Sequence, residues 1–182
     1  RLCAGSTPGE FTALFWTHDR SAQRDLQVHL LNASLNDGDR AGCFPVVTTI
    51  PGQIAAPLLL DDGRLLAFVV DRDRPGTMRL WQSSDGGQSW SSVEMLDSEW
   101  GHVPRCKPMR LSNGDLLFGT EYNDGHSRIW RSQNDASTWE MIATVDGERN
   151  QHPTLLERTD GSILALLRPS GRQGCVLQSE SV

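Results

Sequence analysis

Ser83-Ser84-Asp85-Gly86-Gly87-Gln88-Ser89-Trp90 spells S-x-D-x-G-x-x-W, and the chemistry of that spacing is a turn. An aspartate carboxylate accepts backbone N–H groups a few residues on. A glycine takes backbone conformations closed to other residues. The indole offers a large apolar body to cover a sheet edge. Forty-nine residues on, Ser132-Gln133-Asn134-Asp135-Ala136-Ser137-Thr138-Trp139 repeats the pattern with Asn for Asp and Ala for Gly. Forty-nine residues before Ser83, Ser34-Leu35-Asn36-Asp37-Gly38 is a weaker copy without the Trp. Forty-seven residues after Ser132, Ser179-Glu180-Ser181 reads as the start of another.

Two further landmarks keep step with this repeat. One is a turn dipeptide: Pro8-Gly9, Asp62-Gly63, Asn113-Gly114 and Asp160-Gly161. The other is a proline opening an apolar run, at Pro57, Pro108 and Pro153. Between the landmarks lie short runs rich in Leu, Val, Ile and Trp, which predict strands. In the second repeat these are Ala56–Leu60, Leu65–Asp71, Thr77–Ser83 and Ser91–Leu96. In the third they are Lys107–Leu111, Asp115–Tyr122, His126–Ser132 and Glu140–Val145. Asp-Gly and Asn-Gly between the first two strands are hairpin signals. No long amphipathic helix is legible. The fold class is therefore all-β, and four-stranded units of about 45–50 residues are propeller blades.

The S-x-D-x-G-x-x-W motif in this register resembles the Asp box of the sialidase (BNR-repeat) superfamily. The resemblance implies a β-propeller of sialidase type, with about six blades when complete. Residues 1–182 would supply about three and a half of them as a single domain truncated at both ends. The motif is structural in that family, so Trp90 and Trp139 are expected to be largely buried beside or between sheets.

Composition narrows the function classes. The chain of 182 residues is 37% hydrophobic and 22% charged, with a formal net charge of -6. That balance is globular and gives no reason to expect a nucleic-acid or membrane-surface partner. No apolar run approaches the roughly 18 residues of a membrane span. Arg1 opens no signal-peptide pattern, and without an initiator Met an upstream targeting segment is compatible with the sequence. Cys3, Cys43, Cys106 and Cys175 are scattered without a CxxC. They read as buried free thiols rather than a zinc site or disulfide framework. No metal and no cofactor is expected.

In an up-and-down sheet, alternate loops fall at opposite ends. The Gly63, Gly114 and Gly161 turns share an end with the motif turn at Asp85. The end of strand two and the beginning of strand one share the other. That second end collects His18, Asp19, Arg20, Arg24 and Asp25; Asp71, Arg72, Asp73 and Arg74; Arg105 and Lys107; Glu121, Tyr122 and Asp124; Gln151 and His152; Arg168 and Arg172. Carboxylates, guanidinium groups and a phenol together suit an anionic or polyhydroxylated ligand.

The sialidase resemblance assigns roles within this set. It implies an Asp general acid/base in the first strand two–three loop, matched best by Asp25 and second by Asp19. It implies arginines that hold a substrate carboxylate, for which Arg168 at the end of a second strand and Arg105 at the opening of a first are the matches. Lys107, Gln151 and His152 join them as substrate-binding residues. The run from Arg105 to Gly114, followed by Gln151-His152-Pro153-Thr154-Leu155-Leu156-Glu157, looks like the bacterial BNR-repeat branch. Sialidases use a Tyr nucleophile activated by a Glu, since a neutral phenol approaches an anomeric carbon bearing a carboxylate without repulsion. Tyr122 is the one tyrosine here and Glu121 the carboxylate beside it, although the family's Tyr comes from a later blade. The implied function is an exo-α-sialidase-like glycoside hydrolase acting on sialylated or other acidic glycans. Two alternatives stand: an acidic-polysaccharide lyase-type propeller working through His152 and Tyr122, or a non-catalytic glycan-binding propeller.

Overall fold

The computed structural model describes residues 2–4, 10–17, 27–34, 48–71, 73–74, 76–97, 103–147, 149–171 and 175–181. These form sixteen strands and no helix. The strands make four antiparallel sheets, each running in chain order. The first holds β1 (Leu2–Ala4), β2 (Glu10–Thr17), β3 (Gln27–Ser34) and β4 (Thr48–Pro51). The second holds β5 (Gln53–Leu59), β6 (Leu65–Val70), β7 (Met78–Ser83) and β8 (Ser91–Asp97). In the third, β9 (Val103–Pro104) and β10 (Met109–Arg110) both pair with β11 (Leu116–Glu121), which is followed by β12 (Ser127–Ser132) and β13 (Glu140–Thr144). The fourth holds β14 (Asn150–Glu157), β15 (Ile163–Pro169) and β16 (Leu177–Glu180).

The strands fall where the repeat places them, with three corrections. The first strand of the second repeat begins at Gln53, ahead of the expected Ala56. The expected strand Lys107–Leu111 shrinks to β10, and a separate short piece, β9, precedes it, with residues 105–108 looped out between them. Pro104 and Pro108 bracket the gap, and neither can donate to the ladder. The third correction concerns the last copy of the motif. Leu65 pairs with Ser83 and Leu116 with Ser132, while Ile163 exchanges bonds with Ser181, its carbonyl accepting the Ser181 N–H at 3.0 Å and its N–H donating to the Ser181 hydroxyl at 2.8 Å. Ser181, not Ser179, therefore occupies the Ser83 position.

The turns are built as their residues dictate. In the hairpins after β5, β10 and β14 the side chains of Asp62, Asn113 and Asp160 each accept the N–H two residues on at 3.0 Å. The glycine that follows each has φ of 83–92°, a region closed to residues with a Cβ. In the motif turn, Ser83 Oγ accepts the Gly87 N–H at 2.8 Å, and Asp85 accepts the Ser89 N–H at 2.9 Å and its hydroxyl at 2.5 Å. The Ser89 hydroxyl, its N–H and the Ser83 hydroxyl hold the Asp85 carboxyl far below the ordinary carboxylate range. The second copy repeats this with amide chemistry: Asn134 accepts the Thr138 N–H at 2.9 Å, and Ser132 Oγ accepts that of Ala136 at 3.0 Å.

The described residues divide into two compact units, 1–98 and 99–182. Within the first, Leu14, Val28, Leu30 and Ile50 of one sheet pack on Ala55, Leu65, Ala67 and Val69 of the next. Within the second, Leu117, Ile129 and Val145 pack on Ala165 and Leu167. Alternation along β6 and β15 supplies these faces. Trp90 and Trp139 are largely covered beside the sheets, as the motif predicts, though neither is fully enclosed. Trp90 lies against the first core while its Nε1 donates to the Gly87 carbonyl at 3.0 Å. Trp139 meets Phe118 edge to face, with centroids 6.1 Å apart. The expectation of buried thiols is also corrected: Cys106 is half-buried and Cys175 exposed, both free. Of Cys3 only the backbone is described, and Cys43 lies outside the described residues.

Candidate functional site

The first strands of three successive repeats are irregular at the same place in their pairing with the second strand. In β5, Gln53 pairs with Val70 and Ala55 with Val69, leaving Ile54 as an extra residue with φ of 51°. In the third sheet the irregularity is the looped-out stretch 105–108. In β14, Gln151 pairs with Arg168 and Thr154 with Leu166, leaving a bulge in which His152 has φ of 54°. Positive φ at a β-branched or imidazole residue is uncommon and carries strain of order 1–3 kcal/mol. Bulges of this kind re-aim side chains at the ends of sheets.

In residues 99–182 the re-aimed side chains meet. Arg105 Nε donates to Glu121 Oε2 at 2.9 Å. His152 Nε2 lies 3.2 Å from the same oxygen. Glu121 ends β11 and is mostly buried, at 14% side-chain exposure against 29% for Arg105 and 36% for His152. One carboxylate oxygen is thus shared by a guanidinium from its own sheet and an imidazole from the next. One residue along β14, Gln151 accepts a hydrogen bond from Arg168 Nη2 through its Oε1. Arg168 therefore keeps its charge beside a neutral partner, whereas the charge of Arg105 is offset by Glu121.

Two features seat this cluster. Gly119 stands in the middle of β11, where a Cβ would meet Pro153 Cγ at 2.8 Å and Cys106 Sγ at 3.5 Å. The missing side chain lets the β14 bulge close on β11. Asn150, 1% exposed, ties the start of β14 to β12. Its Oδ1 accepts the Ser127 N–H at 2.9 Å, and its Nδ2 donates to the Val145 carbonyl at 3.0 Å. Neither residue stood out in the sequence as part of a site. A lone Gly inside Leu116-Leu117-Phe118-Gly119-Thr120 was a signal of close approach.

The remaining expected site residues fall as follows. Lys107 is exposed in the stretch between β9 and β10. Tyr122 follows Glu121 and so lies on the opposite face of β11. Its ring sits under the Arg128 guanidinium, 3.8 Å from ring centroid to Cζ, and Arg128 in turn pairs with Asp124 at 2.9 Å. Tyr122 and His152 are thus on different sides of the strand. Asp71 is buried and bound by Arg79 through Nε and Nη2 at 2.9 and 2.7 Å. His18, Asp19, Arg20, Arg24, Asp25, Arg72 and Arg172 lie outside the described residues. The Gly114 and Gly161 turns stand at the opposite ends of β11 and β15 from Glu121 and Arg168, as the topology requires. Among the described residues no cluster of three or more His, Cys, Asp or Glu is placed to hold a metal ion, and no helix is long and apolar enough to cross a membrane.

Comparison with known proteins places this geometry. A Dyadobacter fermentans protein of unknown function superposes on 100% of the chain and 64% of its own length, with TM-score 0.76 and 16% identity. The Trypanosoma rangeli sialidase in complex with the inhibitor DANA superposes on 99% of the chain and 36% of its own length, with TM-score 0.67 and 17% identity. The NanB sialidase of Streptococcus pneumoniae superposes on 98% and 48%, with TM-score 0.68 and 11% identity. The chain thus spans less than two thirds of the length of each of these structures. At such identities the likeness establishes the fold: antiparallel four-stranded sheets that match part of sialidase-type propellers. A search of curated protein sequences finds no match. A model of the BNR repeat-like domain matches residues 48–182, and the chain accordingly belongs to the BNR repeat-like family.

Proposed function

We propose that this chain is part of an exo-α-sialidase-like glycoside hydrolase that takes an acidic glycan at the end of the sheets where Glu121, His152 and Arg168 lie. The observation that carries the reading is the shared Glu121 oxygen, with Arg105 and His152 on it and Arg168 paired one residue along from His152. This is a mixed-charge surface built from two sheets, with a cation left available for a ligand carboxylate. Arg168 is the proposed primary anion contact, with Arg105 beside it. Gln151 orients Arg168, and Lys107 adds positive field at the rim. Glu121 supplies the carboxylate of the set, and Asp25 is the proposed general acid that protonates the leaving oxygen. Tyr122 faces away with Arg128, so neither its use as nucleophile nor a His152–Tyr122 lyase pair gains support from this geometry.

The test is binding of N-acetylneuraminic acid to the chain, followed by calorimetry or by ligand-observed NMR, with Arg168→Ala as the variant. Loss of a charge-assisted contact at a partly exposed site is expected to weaken Kd about tenfold. No binding by the wild-type chain, or equal binding by Arg168→Ala, would overturn the proposal.

A further inference from the structure

We infer that His152 is a proton-operated specificity residue: its protonation leaves Arg105 and His152 sharing Glu121 as their single counter-ion and so strengthens binding of a ligand carboxylate beside them. The inference rests on the reading that this end of the unit takes an acidic sugar, and deepens it by naming what controls the affinity.

The geometry supplies the competition. Arg105 Nε and His152 Nε2 both address Glu121 Oε2, at 2.9 and 3.2 Å. With the imidazole neutral, Arg105 and Glu121 cancel, and the three groups carry no net charge. Proton uptake on His152 brings them to a net positive charge and makes the imidazolium a charged competitor for the same oxygen. A ligand carboxylate arriving then finds a guanidinium and an imidazolium sharing one counter-ion. Imidazole is the side chain whose ordinary pKa, about 6.5, allows this change near neutral pH. Two further cations belong to the site as proposed: Lys107, in the exposed stretch before β10, and Arg168, on β15 opposite Gln151. Both are cationic throughout the range, so their field favours the anion at every pH.

The backbone does not explain the imidazole. Ile54, in the same bulge two repeats earlier, has φ of 51° against 54° for His152. The repeat imposes the strained conformation with either side chain, so the choice of a titratable group at this one bulge is a separate feature. Its placement on Glu121 is made possible by Gly119 and Pro153, which let β14 approach β11.

The experiment measures Kd for N-acetylneuraminic acid at pH 5 and pH 8, with its neutral methyl ester as control. The wild-type chain is expected to bind the acid about tenfold more tightly at pH 5, the effect of one unit charge in a partly exposed site. The methyl ester is expected to show no such dependence. In His152→Gln, which keeps a hydrogen-bond donor for Glu121 but cannot take up a proton, the pH dependence should vanish. A second measurement follows the His152 ring protons by NMR: saturating acid should raise the imidazole pKa, as linkage requires. If His152→Gln keeps the wild-type pH profile, or the imidazole pKa is indifferent to the ligand, the inference is wrong and the site reading survives. If the wild-type chain binds the acid at neither pH, the site reading itself falls, and this inference with it.

Discussion

Gly119→Ala tests how the candidate site is seated. A methyl group at this position would lie 2.8 Å from Pro153 Cγ and 3.0 Å from its Cβ. Relaxed carbon–carbon contacts lie near 3.5–4.0 Å, so the gap is short by roughly 0.7 Å or more. Pro153 cannot yield by changing rotamer, because its ring is part of the backbone. It is buried, and it follows His152, which is already held at positive φ. The strain must move the β14 bulge or bend β11. Overpacking of this kind costs about 1–3 kcal/mol. A loss of 2 kcal/mol would lower the thermal midpoint by about 4–8 °C for a chain of this size. The same displacement carries His152 away from Glu121, so the imidazole should titrate differently from wild type. Equilibrium urea unfolding followed by Trp fluorescence gives the stability, and NMR the titration. Pro153→Ala supplies the control. In the double variant the added methyl no longer meets the ring, so the combined loss should be smaller than the sum of the single losses. Wild-type stability in Gly119→Ala, or strict additivity with Pro153→Ala, would refute the claim that the missing side chain admits the bulge.

Two further outcomes follow from buried polar groups. Asn150→Ala removes the partners of the Ser127 N–H and the Val145 carbonyl in one step, leaving both enclosed. At about 1–3 kcal/mol for each unsatisfied group, a loss of roughly 2–6 kcal/mol is expected by denaturant unfolding, and an effect below 1 kcal/mol would count against its anchoring role. For Asp71, burial pushes the carboxyl pKa up, but the Asp73 N–H and the Arg79 guanidinium outweigh it and hold the group below its ordinary 3.8. A depressed pKa means the ionised form stabilises the fold. The contribution is present above the ordinary aspartate range and is lost as the pH falls through the folded-state value. Asp71→Asn should therefore be less stable at pH 7 yet lose less than wild type on going from about pH 4 to pH 2; an unchanged acid limb would contradict this.

The sequence by itself determined the repeat, the strand order and the ends of the sheets. These rest on local chemistry: glycine at the hairpin turns, Ser83, Asp85 and Gly87 in the motif turn, and short apolar runs such as Leu65–Val70 and Ile163–Leu167 between turn signals. Because strand two ends where strand one begins, Arg105, Glu121 and Arg168 were already assigned to one end. The sequence did not determine which of those charges would touch. A side chain reaches a neighbouring sheet only where backbone irregularities aim it, and neither the bulge at His152 nor the looped-out stretch before β10 follows from propensity. The shared oxygen of Glu121 depends on Gly119 leaving room for Pro153, a contact between residues far apart in sequence. Burial likewise needed the packed sheets. Trp90 was expected beside a sheet by type, but that its N–H binds the Gly87 carbonyl while its ring packs on the first core is seen only in the fold. Tyr122 and Glu121 are neighbours in the chain, yet the period of two along a strand turns them to opposite faces, so adjacency in sequence could not make them partners.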